Sequence, residues 1–208
     1  NRQDIAARRS LFMPVNRSIP DVAQKRKDWN GLISGFKASD LVFLDESGCN
    51  TDMTRRYAYS LGGSRVVDSA PLSKPKNTTI LSSIQLDGTL RYTTFSGGTT
   101  VERFKRYLET DLLPHLNGNS VLIMDNMKSH HPKAVKNLLD SSEIRYIYLP
   151  PYSPDLNPIE KLWSKVKAFL RKFKARTLDA LPNAIQNAFH SVTISDCSGW
   201  FRFCGYAL

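Results

Sequence analysis

The chain has 208 residues, 41% of them hydrophobic and 10% aromatic, which suits one compact domain, with or without an extended arm, and excludes a disordered chain. Lys and Arg number 29 against 19 Asp and Glu, and the formal net charge of +10 points to a polyanionic partner, of which nucleic acid is the commonest. Three cysteines (Cys49, Cys197 and Cys204), with no C-x-x-C pair, argue against a disulfide framework or a zinc cluster and make a reducing compartment the default; no apolar run approaches a membrane span, so no membrane partner is expected, and no signal peptide is visible.

Residues 1–38 read as a basic linker or arm with short helical pieces, punctuated by Pro14 and Pro20, either a solvated surface segment or an arm that touches DNA or a second subunit. Because the chain starts at Asn1 rather than Met, it reads as a fragment. Order is expected from about Asp40, with one domain over 39–208. Leu41–Leu44 is a short apolar run ending in Asp45-Glu46-Ser47-Gly48, the pattern of a buried strand followed by a turn. Residues 51–76 are loop-rich, with a short strand expected around Arg65–Val67. Thr78–Leu86 and Thr89–Phe95 flank Asp87-Gly88, which predicts a hairpin with a type I′ turn.

Thr99-x-x-Glu102 has the form of a capping box, followed by Val101, Phe104, Leu108 and Leu112 at helical spacing. Val121–Met124 is a second apolar strand, again ending in Asp. Pro132 can open a helix carrying Val135, Leu138 and Leu139. Ile144–Leu149 reads as a strand, Pro150–Pro154 as a Pro-rich turn, and Pro158–Lys174 as a helix. A last helix is expected near Asp179, since Pro182 is tolerated only in a first turn; the aromatic tail with Trp200, Phe201, Phe203 and Tyr206 is expected to pack on the domain. An early hairpin followed by strands alternating with helices predicts a mixed sheet with helices on its faces.

Two apolar strands ending in Asp45 and Asp125 would, as parallel neighbours, bring both carboxylates to one sheet edge, where α/β proteins bind ligands. Two carboxylates there repel unless a cation lies between them or one takes a proton, and all-oxygen ligation suits Mg²⁺ or Mn²⁺ rather than zinc. A single Asp at a strand end is ordinarily a turn former; a pair is harder to explain that way. Strand alternation sends Asp45 and Glu46 to opposite faces, so only one of them can be a ligand. Glu160 has an ordinary explanation as the third helical residue after an Asn157 N-cap and Pro158. Yet it falls at the edge of the stripe Ile159, Leu162, Trp163, Val166, Leu170 and Phe173, heading a ridge of Ser164, Lys167, Arg171 and Lys174. That ridge is either a solvated charged face or a metal ligand followed by phosphate-binding cations.

The segment Pro150-Pro151-Tyr152-Ser153-Pro154-Asp155-Leu156-Asn157-Pro158-Ile159-Glu160 resembles the signature of the mariner-like superfamily of DDE transposases. Leu41–Gly48 resembles its first Asp motif and Leu122-Ile123-Met124-Asp125-Asn126 its second. Thirty-four residues lie between Asp125 and Glu160, the family's spacing. A Glu in third place and the tail Phe201-Arg202-Phe203-Cys204-Gly205-Tyr206 resemble the bacterial insertion-sequence branch. The resemblance spans roughly residues 20–208.

The resemblance implies an α/β, ribonuclease H-like (retroviral integrase-like) fold, a mixed five-stranded sheet with helices on both faces. It implies a transposase catalytic domain that cleaves transposon-end DNA and transfers the 3′-OH into target DNA by cut-and-paste, at TA. Asp45, Asp125 and Glu160 become the catalytic and metal-binding residues for two Mg²⁺ ions, with Mn²⁺ as substitute and Asp45, favoured over Glu46 by the family motif, bridging both. Its partners are double-stranded DNA (terminal inverted repeats and target) and a second copy in a DNA-bound homodimer. Its place is the cytoplasm at the bacterial nucleoid, or the nucleus in a eukaryote. Helix-turn-helix domains precede the catalytic domain in the family and are not visible here. Arg55, Arg56, Lys167, Arg171 and Lys174 are candidates for DNA backbone contacts, and Asn126 and His130 for groups supporting the metal ligands or touching phosphate. For His130 a surface position at the helix entry is the plainer reading. Competing functions are a ribonuclease H-like nuclease without strand transfer and a domesticated, non-catalytic DNA-binding protein. A two-carboxylate glycosidase is disfavoured by the net charge and the motif.

Overall fold

The structure, a computed structural model, describes residues 20–54, 67, 76–125 and 132–206. Among them run α1 (Pro20–Ile33), β1 (Leu41–Cys49), β2 (Thr78–Gln85), β3 (Leu90–Ser96), α2 (Val101–Tyr107), β4 (Val121–Met124), α3 (Lys133–Ser141), β5 (Arg145–Tyr148), α4 (Ile159–Phe173), α5 (Ala180–His190) and α6 (Ile194–Phe203). The strands form one sheet in the order β3-β2-β1-β4-β5. β1, β2 and β3 pair antiparallel as a meander; β4 joins β1 in parallel and β5 joins β4 in parallel. The parallel pairs are connected through helices, as parallel connections require. No helix among the described residues is long and apolar enough to cross a membrane.

Both sheet faces are buried, which explains why β1 and β4 are apolar at successive positions rather than alternating with polar residues. Leu41 and Phe43 of β1 and Val121 and Ile123 of β4 face a core built with Ile159, Leu162, Trp163 and Val166 of α4, Ala184, Ile185 and Phe189 of α5, and Phe201 of α6. Val42, Leu44, Leu122 and Met124 face the other side, against Phe104 and Tyr107 of α2 and Val135 and Leu139 of α3. The period of two thus divides each strand between two cores.

Several local readings change. Gly88 takes φ +89° while Asp87 is not left-handed, so the hairpin turn is not type I′. Gly88 N–H donates to the Gln85 carbonyl and Gln85 N–H to the Thr89 carbonyl, a type I turn closed by a left-handed glycine. The capping box expected at Thr99 does not form: Thr100 is the N-cap of α2 and accepts from Arg103 N–H at 3.3 Å, which puts Arg103, not Glu102, at the third helical position. The tail is itself a helix, α6, whose capping box is Thr193 with Asp196. Phe201 and Tyr206 of the tail are buried as expected, but Phe203 is exposed. Residues 20–33, read as part of an arm, are helical, and Trp29 lies in the main core. The strand expected around Arg65–Val67 lies outside the described residues except for Val67, which is in no strand.

Candidate active site

The same alternation that sorts the core places the acids. Asp45 continues the Leu41, Phe43 face of β1, and Asp125 continues the Val121, Ile123 face past the end of β4. Since β1 and β4 are parallel and paired Leu44 to Met124, the next residue of each strand emerges at one edge, on the face covered by α4. Glu46 points to the opposite face. Glu160 sits in the first turn of α4, at the mouth of the same opening. The three acids line one cleft of about 430 Å³, walled by the segment from Leu149 to Pro154 and by Asn157. Glu160 is exposed, Asp125 half-buried and Asp45 buried.

Asp45 is held rigidly. Its Oδ1 accepts from Glu46 N–H at 2.7 Å and its Oδ2 from Trp163 Nε1 at 3.0 Å. Burial pushes its pKa from 3.8 up to about 7, and the charges of Asp125 and, more weakly, Glu160 push the same way; the two hydrogen bonds pull against them. Glu160 is also raised, first by desolvation and then by Asp125, with Lys167 and Lys161 opposing. Lys167, about two turns along α4 from Glu160, acts by its charge on Glu160 and on Cys49. Arg171 is half-buried and Lys174, left-handed at φ +58°, closes α4. Lys161 is occupied over the ring of Phe203, 3.8 Å from its centroid.

Among the described residues, no three His, Cys, Asp or Glu side chains stand together as a ready-made metal cage. Fit to a cation rests instead on chemistry and charge. The donors are all carboxylate oxygens, the set Mg²⁺ and Mn²⁺ prefer, and they converge where a buried carboxylate is destabilised by like charge, with no cation among the groups that shift it. A divalent ion shared between Asp45 and either neighbour needs two protein carboxylates at a time.

Two residues of this cleft carry more than their sequence pattern suggests. Trp163 reads as one apolar residue in a stripe, yet its N–H fixes Asp45; a buried indole N–H normally has such a partner, which is the one signal available. Asn157 does not cap α4 with its side chain; it is buried, and its Oδ1 has no hydrogen-bond partner. Tyr152, at the rim, is left-handed at φ +56°, a conformation that non-glycine residues adopt only when their surroundings hold it. Arg55, Arg56, Asn126 and His130 lie outside the described residues.

Residues 40–182 match the family model of the DDE superfamily endonucleases. The chain belongs to that family. The matched stretch begins with β1 and ends inside α5, so all three acids of this DDE domain lie within it. The Transposable element Tc1 transposase of Caenorhabditis elegans is 28% identical over 97 residues, 45% of this chain and 36% of that protein; the chain thus spans about a third of the length of that relative. The fold is that of the pre-cleavage Mos1 transpososome protein, with TM-score 0.75 at 18% identity over 88% of this chain and 59% of that one. The Mos1 mariner paired end complex with Mn gives TM-score 0.67 at 17% identity, over 88% of this chain and 56% of that one. The expected five-stranded ribonuclease H-like sheet, with helices on both faces, is therefore the fold observed.

Proposed function

We propose that this DDE domain is the catalytic domain of a transposase, which cleaves transposon-end DNA and joins the freed 3′-OH to target DNA, with Asp45, Asp125 and Glu160 as its metal-binding catalytic residues. The observation that carries the reading is the convergence of the three motif acids on one cleft, with the Asp45 carboxylate destabilised by burial and then by Asp125. Asp45 would bridge two Mg²⁺ or Mn²⁺ ions, Asp125 would complete one position and Glu160 the other. When bound, such ions supply activation of the attacking hydroxyl and neutralise charge on the leaving oxygen.

The chain's own groups have distinct tasks. Trp163 and the Glu46 amide fix both oxygens of Asp45, which holds that carboxylate in one orientation for the metal it would bind. Leu149 N–H donates to the Met124 carbonyl at 2.8 Å, tying the cleft wall to the strand end that bears Asp125. Pro150 and Pro151 offer the cleft no amide protons. Lys167, with Arg171 and Lys174 further along α4, supplies positive charge for a DNA backbone entering at Glu160; Arg55 and Arg56 are assigned to DNA backbone contacts from the sequence alone.

The same reading gives double-stranded DNA as partner, a homodimer pairing two element ends, insertion at TA, membership of the bacterial insertion-sequence branch and a place at the nucleoid, or in the nucleus of a eukaryote. A Mos1 paired end complex crystallised with Mn supports the choice of metal and substrate class. Binding to phosphate gives salt-dependent affinity rather than sequence specificity. Lys167→Ala combined with Arg171→Ala is expected to flatten the slope of log affinity against log salt by roughly 2, about 0.9 for each phosphate that is no longer neutralised; an unchanged slope would remove these residues from the DNA path.

Strand transfer is what distinguishes a transposase from a nuclease of the same fold. A precut DNA end bearing a 3′-OH, incubated with the chain, Mn²⁺ and plasmid, is expected to yield covalently joined product. Nicking without joining would establish the nuclease alternative. Binding with neither would establish the non-catalytic one.

A further inference from the structure

We propose that Arg26 of α1 is a positioning residue for this cleft, acting through the loop that joins β5 to α4. That loop forms the wall of the cleft and sets where Glu160 stands, so its position decides the geometry of the acids. Arg26 reaches it with both arms of its guanidinium. Nη2 donates to Asp155 Oδ2 at 2.6 Å and Nη1 to Asp155 Oδ1 at 3.2 Å, a paired fork on one carboxylate; Nη1 also donates to Ser153 Oγ. Ser153 is buried and passes the link on, its Oγ donating to the Pro151 carbonyl at 3.1 Å. The link from Ser153 to Pro151 spans Tyr152 and closes the turn in which that residue is left-handed. From behind, the Tyr206 hydroxyl donates to the Leu156 carbonyl at 2.5 Å, with its ring packed on Phe43.

The loop is thus gripped by two elements that are far away in sequence, and neither Arg26 nor Tyr206 lies within residues 40–182. Arg26 is separated from Asp155 by 129 positions. The side chains of the pair are 22% and 41% exposed, which decides what kind of contribution this is. Partly solvated ion pairs add little to global stability, whereas a two-pronged fork fixes geometry strongly. Trp29, one turn along the same helix and buried in the core, anchors α1 independently of the pair. Loss of the guanidinium therefore releases the loop and leaves the helix in place. This proposal rests on the catalytic reading of the cleft for its effect on activity, but not for its effect on the loop.

The test uses the intact chain with Arg26→Ala, and with Arg26→Glu alone and combined with Asp155→Arg. Hydrogen exchange of the Tyr152, Ser153, Asp155, Leu156 and Asn157 amides is expected to quicken at least tenfold in Arg26→Ala, with the melting temperature held within a few degrees. Mn²⁺-dependent cleavage should fall tenfold or more in kcat with the KM for DNA within twofold. The Arg26→Glu, Asp155→Arg pair should recover protection of the loop that Arg26→Glu loses. Unchanged exchange of the loop in Arg26→Ala would overturn the proposal. So would exchange quickened throughout the molecule with a collapsed melting temperature, since Arg26 would then hold the fold and not the loop. A wild-type chain that cleaves no DNA would count against the catalytic reading, and the exchange comparison would still decide the role of Arg26.

Discussion

Replacing Asp45 by Asn is expected to make the cation-free protein more stable at pH 8 and to abolish DNA cleavage. The carboxyl is buried, and burial together with Asp125 and Glu160 raises its pKa from 3.8 to about 7. The sign of the linkage follows from a folded value above the unfolded one. Below about pH 4 the group is protonated in both states and there is no penalty. As pH rises towards 7 the unfolded chain sheds a proton that the folded protein keeps, and stability falls until the folded group ionises too. At pH 8 the full cost applies, on the order of 4 kcal/mol for a displacement of this size. An Asn amide keeps the shape and can still accept from Glu46 N–H or Trp163 Nε1 with its one oxygen. Part of the gain is offset because only one of those two donors retains an acceptor. A gain of about 2 kcal/mol in a chain this long raises the melting temperature by roughly 4–8 °C. Thermal unfolding in EDTA checks it: the gain should be clear at pH 8 and smaller at pH 5. A melting temperature that is unchanged or lower at pH 8 would mean that Asp45 does not sit in a repulsive site.

The second large effect concerns a cation instead of a mutation. Millimolar Mg²⁺ or Mn²⁺ is expected to raise the melting temperature at pH 8 and to do so far less at pH 5.5. An ion must meet a deprotonated Asp45, so below about 7 binding has to displace a proton and weakens with each step down in pH. Ligand at 100 times its dissociation constant stabilises the folded state by about 2.7 kcal/mol, an effect comparable in size to the Asn substitution and additional to the wild-type baseline. Asp45→Asn should remove most of the shift, because the charge that attracts the ion is gone. A shift of equal size at both pH values would place the ion elsewhere on the protein.

The fold was legible where the chain's own periodicity speaks. The apolar run closing on Asp125 marks a strand end, but β1 runs on through Asp45-Glu46-Ser47-Gly48 to Cys49, where a turn was expected, because β2 continues to pair with it; the period of two still tells that each Asp shares a face with Phe43 or Ile123 and that Glu46 does not. The apolar stripe of α4 puts Glu160 at its edge, and Glu160 lines the cleft, with the charge of Lys167 acting on it. Boundaries and caps were less legible, because neighbouring residues offer the backbone similar partners. Thr99 and Thr100 are chemically alike as caps, and only the packed helix chooses between them. Asp-Gly fits both a type I′ turn and a type I turn with a left-handed glycine, and the observed strand register takes the second. Asn157 before Pro158 has every mark of a cap, yet its side chain is turned into the cleft wall, which no local rule foresees. The interactions that fix the site are long-range: Trp163 to Asp45 spans 118 positions and Arg26 to Asp155 spans 129. A basic residue in an N-terminal stretch looks like a DNA-binding arm until the fold brings Asp155 beside it.

Metal-dependent DNA cleavage at Asp45, Asp125 and Glu160 is decided by an incision assay. Wild-type chain and Asp125→Asn, matched for folded content by circular dichroism, would be incubated with labelled double-stranded DNA in Mn²⁺ and in EDTA. Incision by the wild type is expected in Mn²⁺ only, with a loss of at least about a hundredfold in Asp125→Asn. Incision that persists in EDTA, or an Asp125→Asn protein as active as the wild type, would contradict that assignment.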